Sequence, residues 1–190
     1  MRKKSRFAVA IHVTCAITAV LFPLLFALAD YTGVGVLKSL AITVFTVFYH
    51  FAMRLAVGMI VPRLMKNIDP ETKFLAAGKR EKAFYQKLGL KKHKAKAPTY
   101  APDRFDPKLH TMREIAAEMC RAEVGHVVII PFSFLPIAFI AVWGAAAVFI
   151  ITSVVAAFCE SYFVILQRYN LARIQPILRR ELRINTKVNL

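Results

Sequence analysis

Apolar residues run almost unbroken through four stretches of this chain: Phe7 to Ala29, Leu37 to Val61, Val124 to Val142 and Ala145 to Leu166. Each is close to the ~20 residues that cross a ~30 Å hydrocarbon core as a helix. The pattern predicts an all-α integral membrane bundle of about four transmembrane helices. A long polar segment, residues 63–123, separates the second stretch from the third, and a basic tail, residues 168–190, follows the fourth. No internal repeat or low-complexity tract divides the chain, so residues 1–190 read as a single membrane domain.

Charge adds an orientation. Lysine and arginine number 27 against 11 acidic residues, a formal net charge of +16. They fall almost wholly in Arg2 to Arg6, Arg63 to Arg121 and Arg168 to Lys187. Basic residues concentrate on the cytoplasmic side, so both termini and the middle segment are expected inside a bacterial cell, the protein lying in its cytoplasmic membrane. Asp30 to Val36 and the turn at Trp143-Gly144 are then the external links. The first stretch has the basic start of a secretory signal, and Ala27-Leu28-Ala29 resembles a cleavage site. It is longer than the ~7–15-residue signal core, and three more spans follow, which favours a retained anchor. The basic residues flank membrane helices and match no nucleic-acid module, so the expected partners are anionic lipid headgroups or a phosphate-bearing soluble substrate, not nucleic acid.

In the middle segment, Pro62 ends the second span and Asp69-Pro70 starts a helix in which Phe74, Phe84, Tyr85 and Leu88 leave an apolar edge on a basic surface. Such a helix lies in the headgroup plane. Lys91-Lys92-His93-Lys94-Ala95-Lys96 and Pro98, Pro102 and Pro107 make the next stretch a loop, and a helix resumes near Leu109 and continues toward the third span.

Ionisable groups beside a bilayer are costly, which makes them candidates for function. In the second span His50 and Arg54 are one helical turn apart and share a face, with Arg54 within snorkelling reach of the cytoplasmic end. In the fourth, Ser153, Glu160 and Gln167 recur every seven residues as one inward stripe. Glu160 and Arg54 lie at similar depths, so they either pair with each other or contact substrate. On the third helix Glu123 and His126 are three residues apart, the spacing at which a carboxylate orients an imidazole as general base. Glu118 and Arg121 are available for pairing. The two-histidine spacing of a zinc helix is missing, so no metal is expected. Cys15, Cys120 and Cys159 are scattered and imply no disulfide framework, and Cys120 reads as a packing residue.

Two linked motifs carry a resemblance. Glu118-x-x-Arg121-Ala122-Glu123-x-x-His126 precedes a span containing Pro131, and Gln167-Arg168-Tyr169-Asn170-x-x-Arg173 opens the basic tail. With Phe84-Tyr85 and the lysines from Lys91, they resemble the glycosyl-4,4'-diaponeurosporenoate acyltransferase family over about Phe84 to Arg180. The chain departs from that pattern at His93, Val127 and Leu171. The resemblance implies a membrane acyltransferase of carotenoid biosynthesis, moving a fatty acyl group onto the sugar hydroxyl of a glycosylated carotenoid or related glycolipid. It implies an acyl thioester, such as acyl-CoA or acyl carrier protein, as co-substrate, and no other cofactor.

In the resulting expectation His126 is the base and Glu123 its orienting carboxylate. Arg168 or Asn170 stabilises the oxyanion, and Arg121, Arg173 and Lys91 to Lys96 hold carrier phosphates. Glu118, Gln167, Tyr169, His50, Arg54 and Glu160 complete the substrate contacts. Two other classes use the same residues: a non-catalytic lipid-binding or scaffolding protein, and a membrane methyl or other group transferase with a soluble nucleotide donor. The topology has a direct check in single cysteines introduced at Val34 and Lys187 in a cysteine-free background. A membrane-impermeant thiol reagent applied to intact cells should label only the first.

Overall fold

A computed structural model describes residues 5–72, 77–87, 90 and 99–188. Helix α1 (Arg6–Thr32) starts where the Ser5 hydroxyl accepts the Ala8 N–H at 3.0 Å while donating to the Tyr100 carbonyl at 2.8 Å. It stops at Gly33, whose φ of 71° is a left-handed conformation that costs glycine nothing. Helix α2 (Gly35–Leu64) begins two residues later, so the link between the first two spans is shorter than the stretch from Asp30 to Val36. The helix passes through Pro62 before ending at Leu64.

Beyond α2 the fold departs from the sequence reading. Asp69-Pro70 starts a turn, not a helix: the Asp69 carboxylate accepts the Glu71 N–H at 3.2 Å, and the Asp69 carbonyl accepts the Thr72 hydroxyl at 2.8 Å. This local bonding competes with helix formation. Helix α3 spans Lys79–Lys87, with Tyr85 buried and Phe84 exposed. Phe74, Leu88 and Lys91 to Lys96 lie outside the described residues.

Helix α4 (Met112–Phe132) begins slightly after Leu109, at a capping box in which Thr111 and Glu114 satisfy each other's backbone N–H groups. The third span then breaks into a 3-10 turn (Leu135–Phe139) and the short helix α5 (Ile140–Trp143). Pro136 has no N–H to offer the carbonyl of Phe132 four residues earlier. The Tyr49 hydroxyl donates to that carbonyl instead, at 2.8 Å. Gly144 and Ala145, both with positive φ, turn the chain into helix α6 (Ala146–Val188), which continues past Leu166 and through Pro176 into the basic tail.

The described residues contain no strand, and four helical units are long and apolar enough to cross a membrane: Arg6–Thr32, Gly35–Leu64, Met112–Trp143 and Ala146–Arg180. This is a membrane protein. α1 packs on α2, α4 on α6, and α2 joins the two pairs. Met53, Val57 and Val61 meet Ile129 between α2 and α4, and Ala116 and Cys120 meet Leu171 and Leu178 between α4 and α6. An aromatic cluster at the opposite end brings Phe22, Phe26, Phe45, Phe139, Trp143 and Phe149 together from all four units. Val13, Ile17, Val20 and Leu24 on α1, and Ile151, Val154, Val155 and Phe158 on α6, remain exposed to face lipid.

Tyr49→Phe should leave the Phe132 carbonyl unpaired and cost about 1–3 kcal/mol. Thermal unfolding in detergent checks this. A variant as stable as wild type would show that the hydroxyl is not the partner the helix break depends on.

Candidate functional site

Opposite the aromatic cluster, α2, α4 and α6 bring three carboxylates against cations. The deepest is Glu160 on α6, 2% exposed. Its Oε1 lies 2.5 Å from Arg54 Nε on α2, and its Oε2 lies 2.6 Å from His126 Nδ1 on α4. One side chain thus ties three helices together. Arg54 Nη1 also donates to the His50 carbonyl at 3.1 Å, and the His126 ring stacks on Phe163, with centroids 5.1 Å apart. Of the two sequence alternatives for Arg54 and Glu160, the structure shows the pair.

One turn nearer the polar segment, Glu123 is also 2% exposed and accepts Arg168 Nε at 2.7 Å. Arg168 Nη1 reaches Glu81 of α3 at 3.2 Å, and the Tyr85 hydroxyl donates to Glu81. Burial, reinforced by Glu81, pushes the Tyr85 phenol above its ordinary range, so it remains a donor at neutral pH. Tyr85 also meets Tyr169 edge-on, and Arg173 lies over the Tyr169 ring at 5.8 Å. The outermost carboxylate, Glu118, pairs with Arg121 at 2.9 Å and Arg104 at 3.4 Å.

The expected Glu123–His126 pair is therefore corrected. The two residues neighbour each other on α4, but each turns to a partner on α6: Glu123 to Arg168 and His126 to Glu160. A permanent guanidinium charge stabilises a desolvated carboxylate better than an imidazole does, and only the packing of α4 on α6 supplies one at Glu123. Glu160, taken above as an inward polar position, is the carboxylate that orients His126. With Nδ1 engaged, Nε2 has no partner among the described residues, and the side chain is 25% exposed.

Asn170 is buried and Gln167 half-buried on the same helix. Glu81, Arg104 and Phe163 were not singled out from sequence. Glu81 carried a signal, as an acidic residue in the basic surface of α3 with Tyr85 one turn on.

Residues 70–180, more than half the chain, match the family described as glycosyl-4,4'-diaponeurosporenoate acyltransferase. The chain belongs to that family. No curated protein and no solved structure matches. The matched region begins at Pro70, ahead of the quoted motifs, and contains Glu81, Glu123, His126, Glu160 and Arg168. His50 and Arg54 lie before it, so in this acyltransferase of carotenoid biosynthesis the bridge to Glu160 joins the family region to the N-terminal hairpin.

Arg168→Ala removes the link between α3 and the bundle and strands Glu123 as a buried, unpaired carboxylate. Hydrogen exchange across Lys79–Lys87 should rise at least tenfold while α4 and α6 keep their helicity. Unchanged exchange in α3 would mean that Tyr85 packing holds the helix without Arg168.

Proposed function

We propose that the acyltransferase moves a fatty acyl group from a thioester to a sugar hydroxyl of a glycosylated carotenoid or related glycolipid, at the cytoplasmic face of the bacterial membrane. The observation that carries this reading is the His126–Glu160 contact, a buried carboxylate fixing one imidazole nitrogen while the other stays available. His126 Nε2 takes the proton of the sugar hydroxyl as its oxygen attacks the thioester carbonyl carbon. When the tetrahedral intermediate collapses the C–S bond breaks, and the protonated imidazole returns the proton to the departing sulfur. Acyl chain and thiol are both accounted for, and no further cofactor enters.

Arg54 shares the Glu160 carboxylate with His126, and its Nη2 has no hydrogen bond among the described residues. It is the cation best placed to stabilise the developing oxyanion. Arg168 is held by Glu123 and Glu81. Asn170 lies seven residues beyond Phe163, about 10 Å along α6 and out of hydrogen-bond reach of chemistry at His126. We therefore assign Arg168, Tyr169 and Asn170, with Glu118, Arg121, Gln167 and Arg173, to the mouth of the site. There the positive rim attracts the phosphates of an acyl carrier and anionic headgroups. A purely lipid-binding or scaffolding protein needs only that rim and gives no role to an imidazole oriented by a buried carboxylate.

The test is mass spectrometry of lipids from a host that makes a glycosylated carotenoid. Wild type should add one fatty acyl mass, and His126→Ala should lower the rate by about 10²–10⁴-fold. Glu160→Gln should fall roughly tenfold or more, whereas Glu123→Gln should act mainly on stability. Full activity in a folded His126→Ala protein would sink the mechanism.

A further inference from the structure

Two polar side chains on the lipid side of the site have no partner among the described residues. His50 on α2 is 6% exposed with both ring nitrogens unbonded, and Ser153 on α6 is 0% exposed with its hydroxyl unbonded. Other hydroxyls in these spans return to their own helix: Thr46 donates to the Ile42 carbonyl at 2.8 Å, Thr152 to Val148 at 2.6 Å and Ser161 to Ala157 at 2.8 Å. A hydroxyl or imidazole kept from water without a partner is destabilising unless a ligand completes it.

Their position follows from the Arg54–Glu160 bridge. α2 and α6 run in the same direction across the bundle and meet at that pair. His50 precedes Arg54 by four residues, about 6 Å, and Ser153 precedes Glu160 by seven, about 10 Å. Both displacements lead away from the charged mouth and toward the middle of the bilayer. A neutral imidazole has one N–H to donate in either tautomer, and a serine hydroxyl has another. The two donors suit an uncharged acceptor oxygen at the start of an apolar chain. A carboxylate or phosphate would need a cation at that depth, and Arg54 lies about one helical turn nearer the mouth, at Glu160.

This deepens the acyl-transfer reading and rests on it. If a sugar hydroxyl meets His126 Nε2 and the apolar part of the acceptor runs into the bilayer, the junction between sugar and chain lies deeper than the hydroxyl. In a glycosyl carotenoate that junction is an ester. We infer that His50 and Ser153 hold the carbonyl oxygen at a substrate's ester or thioester junction, with the His50 N–H as principal donor and the Ser153 hydroxyl as the second. The carbonyl belongs either to the glycosyl ester or to the acyl thioester, whose chain also enters the bilayer.

The experiment uses the full chain in lipid nanodiscs with three radiolabelled probes: the glucose monoester of a long-chain fatty acid, the matching alkyl glucoside, which lacks the carbonyl, and palmitoyl-CoA. Wild type should bind the ester about tenfold more tightly than the glucoside. His50→Phe should abolish that preference, His50→Gln should restore most of it through its amide N–H, and Ser153→Ala should weaken it by roughly threefold. If the loss falls on palmitoyl-CoA, the carbonyl is the thioester's and the inference stands with that source. Unchanged affinities for all three probes in His50→Phe and Ser153→Ala, at wild-type unfolding temperature, overturn it. If His50→Phe fails to fold, His50→Gln and Ser153→Ala are compared with His50→Ala in the same way, and no change across them in affinity for either the ester or palmitoyl-CoA also overturns it. Binding needs no turnover, so the two readings fail separately. A protein that prefers the ester but transfers no acyl group refutes the catalytic reading alone, whereas an active enzyme indifferent to His50 and Ser153 refutes only the carbonyl site.

Discussion

Glu160 is the charge around which the bundle is organised. A carboxylate placed among apolar helices loses its hydration, and an unpaired one would cost several kcal/mol. Here both of its oxygens are engaged, by Arg54 from α2 and His126 from α4. The requirement that the charge be matched therefore sets the rotation of three helices about their axes, which apolar packing alone would leave loosely specified, because lipid tails are as apolar as the side chains they touch. The same contact holds the His126 ring, so the interaction that specifies the bundle also fixes the imidazole that we propose as the base.

The remaining polar network extends from that point in one direction only. Glu123 with Arg168, and Glu118 with Arg121 and Arg104, continue the sequence of paired carboxylates from the bilayer side toward the polar segment. Arg168 carries it into α3 through Glu81, docking that short helix where its own apolar content would hold it weakly. The opposite end of the bundle is closed by rings instead, with Trp143 packed among Phe26, Phe45, Phe139 and Phe149. A bundle charged at one end and aromatic at the other is suited to chemistry at one membrane surface, with chains accommodated in lipid beside it.

Much of this was legible in the chain itself. Continuous apolar length identified the spans, because a bilayer accepts few alternatives to a helix of that length. The Glu118 to His126 and Gln167 to Arg173 motifs identified the face and the family, and the seven-residue recurrence of Ser153, Glu160 and Gln167 marked the inward side of α6. Breaks in the helices were harder to read. Pro136 interrupts the third span, where the Tyr49 hydroxyl takes the Phe132 carbonyl, whereas α6 continues through Pro176.

Sequence by itself determined that these ionisable residues would be held beside a membrane and on which helices they would lie, since periodicity and hydropathy are local properties of the chain. Only the tertiary structure decided who pairs with whom. Spacing along α4 made Glu123 the natural partner of His126, but the packing of α4 against α6 brought Arg168 to Glu123 and Glu160 to His126. The physical reason is that a desolvated carboxylate is stabilised by the strongest cation within reach, and which cation is within reach is a property of helix rotation and depth across the bundle.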